Sequence, residues 1–122
     1  MKFDKVRAKW ERERSMRAAE AEQRRLAVKD KGPAVFERFG VRRAVIFGST
    51  AIGASHSRSD IDLLVMPLEQ RRYWEFRHAL ESALGYPLDL YTQADDPLLV
   101  NKIVERGDVV YDVDCRDLRQ DL

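Results

Sequence analysis

The stretch FGSTAIGASHSRSDIDLLV, residues 47–65, carries more information about this chain than any other part of it. Gly48 and Ser49 close an apolar run, and Asp60-Ile61-Asp62 opens the next one. Side chains alternate along a β-strand, so Asp60 and Asp62 are expected on one face at the start of a strand that is otherwise apolar. Because buried charge is costly unless it is paired or neutralised, two carboxylates in this place call for a functional explanation.

The segments around this stretch predict strands that alternate with helices. The predicted strands are 43–47, 61–66, 88–92 and 109–112, and the predicted helices are 3–30, 33–39, 70–84 and 97–106. A short helix is also expected to begin at Thr50, and Lys31-Gly32-Pro33 is expected to break the first long helix from the second. This order is typical of an α/β (α+β) fold, in which helices flank a mixed β-sheet of about four strands and a long N-terminal helix precedes it.

Length and charge bound the domain organisation. The chain has 122 residues, which suffices for one core. We expect a basic N-terminal helix at 1–31, a globular domain at 32–113 and a polar tail at 114–122. Residues 1–31 hold 11 Lys and Arg against 6 Asp and Glu, a net charge of +5, whereas the remainder holds 11 against 15, a net charge of −4. An acidic body is a poor partner for nucleic acid unless metal ions mediate the contact.

Location is predicted from what the sequence lacks. No apolar run approaches the roughly 20 residues of a membrane helix, and the first residues do not resemble a secretory signal. The single cysteine, Cys115, has no partner for an intrachain disulfide and is expected to be a bystander thiol. A cytoplasmic protein without a membrane association is therefore expected.

A third carboxylate is predicted to join the pair. Asp89 is the second residue of its strand, as Asp62 is of its own, and the helix between the strands is long enough for a crossover that makes them parallel. As parallel neighbours, Asp62 and Asp89 would lie at the same level, beside Asp60. The alternatives are a solvated strand start for Asp60 and Asp62 and an edge-strand charge for Asp89. Tyr91 shares the face of Asp89, where ordinary packing is its expected role.

Three carboxylates within a few ångströms repel one another, so either their pKa values rise or a cation neutralises them. Oxygen ligands suit a hard cation such as Mg²⁺, and two such ions bridged by carboxylates are a common apparatus for attack at phosphorus. An antiparallel pairing of the first two strands would bring Gly48 and Ser49 to the same place. Gly48 lets a phosphate approach the backbone, and Ser49 adds a hydroxyl unless it merely caps the turn. These features indicate a site for a nucleoside triphosphate.

Gly48-Ser49, ten intervening residues, Asp60-x-Asp62 and the later Asp89 resemble the DNA polymerase β-type nucleotidyltransferase superfamily over roughly residues 33–112. The small size is similar to its minimal members, the MNT proteins, many of which are antitoxins paired with a HEPN-domain ribonuclease. The resemblance implies AMP transfer from ATP to a tyrosine of the HEPN toxin. It further implies that Asp60, Asp62 and Asp89 ligate Mg²⁺, as a pair of ions, and that Asp89 assists deprotonation of the acceptor. Gly48 and Ser49 would then hold the β,γ-phosphates.

One position departs from the pattern of this family. Many MNT proteins carry arginine where this chain has Ile52, and Arg58 in the same loop is a candidate substitute. The departure keeps a second hypothesis open, in which the protein neutralises a HEPN ribonuclease by occlusion with little or no catalysis. Both hypotheses imply a hetero-oligomer with a HEPN protein, because the chain has little room for an acceptor-binding domain. Nucleic-acid binding through residues 1–31 is a weaker third hypothesis.

Overall fold

The computed structural model describes residues 2–114. The predicted polar tail and Cys115 therefore lie outside the described residues, apart from Asp114. The elements in chain order are α1 (Lys2–Phe39), β1 (Arg43–Ile46), α2 (Gly48–Ala51), β2 (Ile61–Met66), a 3₁₀ turn (Gln70–Arg72), α3 (Tyr73–Leu84), β3 (Leu88–Thr92), α4 (Pro97–Arg106) and β4 (Asp108–Asp112). The predicted class is confirmed: a mixed four-stranded sheet with flanking helices and a long N-terminal helix. No helix within the described part combines the length and apolar character required to cross a membrane.

The strands lie in the order β3-β2-β1-β4. β1 pairs antiparallel with both β2 and β4, and β2 pairs parallel with β3. Each pairing follows from its connection: a turn-rich loop lets the chain reverse between β1 and β2, whereas α3 carries it back over the sheet between β2 and β3. The two pairings of β2 bring the end of β1 and the starts of β2 and β3 to one end of the sheet.

Helices cover both faces of the sheet. On one face, α1 and α3 bury the larger core, in which Phe36, Phe39 and Phe76 pack ring against ring. On the other face, Ile103 of α4 packs on Val45 and Leu64. Because side chains alternate along a strand, Asp62 lies on the α4 face with Leu64. Asp89 and Tyr91 lie on the same face of β3.

The predicted helix break at Lys31-Gly32-Pro33 is wrong, since α1 continues through it to Phe39. Gly32 is buried, and a Cβ at this position would lie 2.8 Å from the ring of Phe36. It therefore serves as a packing residue rather than a helix terminator. Val28 before Pro33 and Phe36 after it both belong to the larger core. Their burial offsets the hydrogen bond that proline removes from a helix interior.

Candidate active site

The two predicted strand carboxylates lie side by side. In the parallel pairing of β2 with β3, Asp62 is the direct register partner of Asp89. Their carboxyl groups lie close enough for the charge of Asp89 to raise the pKa of Asp62. The predicted proximity of these residues is therefore found, and it results from equal positions in two parallel strands.

Electrostatics at Asp62 record the crowding. Its pKa is raised above the ordinary value, chiefly because partial burial disfavours the charged form and because Asp89 carries a like charge. Hydrogen bonding of the protonated form with Asp89 and the charge of Asp60 raise the pKa further, while the backbone N–H of Ser49 lowers it. A carboxylate in this situation favours a bound proton or a bound cation, since either one removes the repulsion.

The Gly-Ser turn is built against the same carboxylate. The N–H of Phe47 donates to the carbonyl oxygen of Asp62 at 3.0 Å, and the N–H of Ser49 donates to its carboxylate. Gly48 lies between them with φ of +64°, and a Cβ there would collide with the Asp62 carboxylate and lie 2.9 Å from its Cγ. Only glycine fits this position, because it tolerates a positive φ and leaves the space for Asp62. The helix after the turn, α2, begins at Gly48 rather than at the predicted Thr50.

Tyr91 touches the acids, although ordinary packing was its expected role. It lies close enough to Asp89 for that charge to act on its hydroxyl, and its ring packs edge-on against Phe47 with centroids 5.2 Å apart. The pKa of Tyr91 is raised by the charge of Asp89 first, then by burial and by the charges of Asp62 and Asp95. The phenol therefore stays protonated and available as a donor to Asp89.

Comparison with known proteins identifies the family of the chain. The family model described as polymerase beta, nucleotidyltransferase matches residues 33–116, more than half of the chain. The chain belongs to the polymerase β nucleotidyltransferase family. The predicted resemblance is thus confirmed at the level of the family and of its fold. Comparison with curated proteins finds no match.

Solved structures place this nucleotidyltransferase among similar folds from toxin–antitoxin complexes. It is 26% identical to a chain of a toxin–antitoxin complex with AMP-PNP, covering 69% of this chain and 73% of that one with a TM-score of 0.60. A second similar chain comes from a mutant form of an MntA-HepT toxin–antitoxin complex, at 26% identity, 68% and 71% coverage and a TM-score of 0.57. A third comes from a complex of an MNT antitoxin with a tri-AMPylated HEPN toxin of Shewanella oneidensis. That likeness, at 23% identity, 77% and 76% coverage and a TM-score of 0.55, concerns the fold.

The third predicted ligand of the nucleotidyltransferase, Asp60, lies outside the strand. It precedes β2 and is exposed, and its charge still reaches Asp62. Within residues 2–114, no three acidic, histidine or cysteine side chains stand close enough together to enclose a metal ion. The donor set nevertheless fits a hard divalent cation in its chemistry, because every side chain is an oxygen donor and the like charges of Asp89 and Asp60 act on Asp62. The metal-binding roles of Asp60, Asp62 and Asp89 stay a prediction.

One buried residue beside this loop was missed in the sequence. Arg24 of α1 is 1% exposed, and its Nε donates to the carbonyl oxygen of Ser59, immediately before Asp60. The signal was its spacing from Ala21 and Val28, which are also buried. Residues three and four apart share a helix face, so Arg24 occupies a core position that an apolar residue would normally fill.

Ile52, at the position of the family arginine, points outward. Its side chain is 78% exposed, and with Trp10, Arg14 and Arg17 of α1 it lines a groove of about 470 Å³. The departure from the family pattern therefore adds an apolar surface next to the Gly-Ser turn.

Proposed function

We propose that this nucleotidyltransferase transfers AMP from ATP to a tyrosine hydroxyl of a HEPN-domain partner toxin and thereby acts as its antitoxin. The observation that carries the proposal is the placement of Asp62 opposite Asp89, with Gly48 and Ser49 packed on the Asp62 carboxylate. Support for the nucleotide comes from the similar complex with AMP-PNP. The similar fold found with a tri-AMPylated HEPN toxin suggests the acceptor.

Asp60, Asp62 and Asp89 would hold Mg²⁺ in this proposal. When bound, the ion supplies positive charge that offsets the triphosphate and the charge that develops during transfer. The raised pKa of Asp62 supports this assignment, because a carboxylate crowded by Asp89 and Asp60 gains more from a cation than an isolated surface carboxylate does.

The other residues of the site would bind and orient the substrates. Gly48 and Ser49 would hold the β,γ-phosphates through the backbone of their turn, beside the Asp62 carboxylate that fills the space of a side chain at Gly48. The Ser49 hydroxyl lies on the same turn and supplies a further donor. Asp89, which interacts with Asp62 and with the Tyr91 hydroxyl, would accept the proton of the acceptor hydroxyl. In the proposal, the acceptor tyrosine comes from the partner, so the active assembly is a hetero-oligomer, and its cytoplasmic location stays a prediction.

The direct test supplies labelled ATP and Mg²⁺ to this protein together with its candidate HEPN partner. The proposal predicts labelling of the partner, loss of the label with EDTA, and a decrease of at least about 100-fold in Asp60→Ala and Asp62→Ala. Glu69→Gln is a matched control, because Glu69 is an exposed acid beyond the opposite end of β2 and pairs only with exposed Arg71 among the contacts described. Undiminished labelling by the two alanine variants would refute the assignment.

Occlusion is the second candidate function, and the exposed apolar side chains favour it. Trp10 is 64% exposed and lines the same groove as Ile52, so a partner could be held at this groove without any chemistry. The double variant Asp60→Asn/Asp62→Asn separates the two functions. If it neutralises the toxin fully at equal expression, binding suffices; if neutralisation is lost while the complex still forms, transfer is required.

A further inference from the structure

Arg24 is a buried charge that the proposed chemistry does not use. Its side chain is 1% exposed, and it lies in α1 before residue 33, where the match to the family model begins. Burying a guanidinium group costs free energy unless its N–H donors have hydrogen-bond partners. The partners of Arg24 therefore show which segments it holds together.

The partners of Arg24 lie on three segments. One terminal nitrogen donates to the carbonyl oxygen of Glu20 at 2.9 Å and to its carboxylate at 2.7 Å, within α1. Nε donates to the carbonyl oxygen of Ser59 at 3.2 Å, and the guanidinium lies over the ring of Tyr86 at 4.7 Å. Glu20 thus fixes the side chain, which reaches the loop before β2 and the segment before β3.

These two segments flank Asp60. Ser59 precedes it, and Ile61 after it donates its N–H to the carbonyl oxygen of Pro87 at 2.9 Å. Pro87 follows Tyr86, whose ring Arg24 covers. Arg24 therefore contacts Ser59, which precedes Asp60. It also contacts Tyr86, the neighbour of Pro87, whose carbonyl oxygen holds Ile61 on the other side of Asp60. The same contacts join the start of β2 to the start of β3, where Asp89 lies.

We propose that Arg24 is a positioning residue that sets the backbone of Asp60 relative to Asp62 and Asp89, and that it makes α1 part of the catalytic unit rather than an appendage. The inference rests on the proposed function for the role of Asp60. The claim that Arg24 fixes the backbone of residues 59–61 rests only on the contacts described above.

The test compares Arg24→Met with Arg25→Met. Methionine keeps an unbranched apolar stem without the charged guanidinium group, and replacing a buried ionic group by an apolar one often preserves folding. Arg25 is the matched control, because it also ties α1 to the body, through Asp108 of β4, two strands away from β2. In Arg24→Met we expect amide hydrogen exchange at residues 59–61 to accelerate about 10-fold or more, and Mn²⁺ affinity to fall about 10-fold. Arg25→Met should leave both unchanged, and Arg24→Lys should restore part of the protection through one donor to Ser59.

Equal exchange at residues 59–61 and equal Mn²⁺ affinity in the Arg24→Met and Arg25→Met proteins would overturn the inference. If Arg24→Met does not fold, Tyr86→Leu and Glu20→Gln replace it, with the same two measurements and the same deciding results. Failure of the proposed role of Asp60 can be told apart from failure of this inference. In the first case, Asp60→Asn would keep full transfer activity and Mn²⁺ affinity. Hydrogen exchange in Arg24→Met would still report whether Arg24 holds the loop.

Discussion

Asp62 and Asp89 are register partners across two parallel strands, and the charge of Asp89 raises the pKa of Asp62. The pair lies on the face of the sheet that α4 covers and next to the Gly48-Ser49 turn. The backbone of two paired strands fixes the Cα positions of the two acids, so only side-chain rotation can relieve their repulsion. The fold therefore maintains a place where a proton or a cation is needed.

The first prediction concerns the stability cost of Asp62. Its pKa in the folded state lies above the ordinary value of 3.8, so protonation of Asp62 stabilises the fold at low pH, and this stabilisation is lost as the pH rises through the raised pKa. At neutral pH without metal, Asp62→Asn should raise the melting temperature by a few degrees, on the order of a 1 kcal/mol effect. Asparagine can still accept from Ser49 and donate to Asp89.

Thermal melts with EDTA at pH 7.5 and at falling pH check this prediction. The advantage of Asp62→Asn should shrink as the pH approaches 3.8, where the wild-type group also becomes neutral. A variant less stable than wild type at pH 7.5 would contradict burial and like charge as the causes of the raised pKa.

The second prediction isolates the contact between Gly48 and Asp62. Gly48→Ala should destabilise the protein by about 2 kcal/mol or more and reduce nucleotide transfer at least about 100-fold, because the new Cβ meets the carboxylate at an unfavourable φ. Gly53→Ala is the matched control, since Gly53 also has a positive φ, of +73°, but no atom lies within 4 Å of an added Cβ. It should cost about 1 kcal/mol and leave transfer nearly intact. Equal effects of the two substitutions on transfer would argue against a special role for the close approach.

The third prediction tests the continuity of α1. Pro33→Ala restores a helix N–H and so favours the folded state, whereas the loss of proline makes the unfolded chain more flexible and opposes this gain. The net effect should be a stabilisation of about 1–2 kcal/mol. Gly32→Ala should destabilise it, because the added Cβ meets the Phe36 ring at 2.8 Å. Urea unfolding of both variants measures the two effects. If the helix were broken before Pro33, this proline would occupy the favourable first turn of a second helix. Its replacement by alanine would then not stabilise the protein.

The fourth prediction concerns Tyr91. Tyr91→Phe keeps the ring that packs on Phe47 and removes only the hydroxyl, on which the charge of Asp89 acts. We expect the turnover number to fall several-fold while the KM for ATP changes less than about two-fold, because the hydroxyl orients Asp89 rather than the nucleotide. Steady-state kinetics with the partner protein give this comparison. A change confined to KM would place Tyr91 against the nucleotide instead.

Much of the fold was predictable because local patterns and tertiary packing agree. β2 and β3 were bounded correctly, since apolar runs end at Pro67 and begin after Pro87. Their parallel pairing followed from the helix that connects them, and this pairing alone placed Asp89 beside Asp62. The position of β4 next to β1 was not predicted, because no local signal specifies which edge of a sheet a final strand joins.

The errors arose where packing overrides local preference. Gly32 and Pro33 usually terminate helices, yet α1 continues because Val28 and Phe36 are buried on either side of them. Arg24 was not singled out from the sequence. Its burial depends on Ser59 and Tyr86, which are distant in sequence, and no spacing within α1 specifies these partners.

Calorimetric titration of a non-hydrolysable ATP analogue in the presence of Mn²⁺, using wild type, Asp62→Asn and Asp89→Asn, measures the proposed metal and nucleotide site itself. Glu69→Gln serves as the surface control. We expect metal-dependent binding to wild type and to the control, and a loss of at least about 10-fold in affinity in each asparagine variant. Equal affinities in all four proteins, or binding unaffected by EDTA, would contradict the claim that these two strand carboxylates hold a divalent cation and its nucleotide.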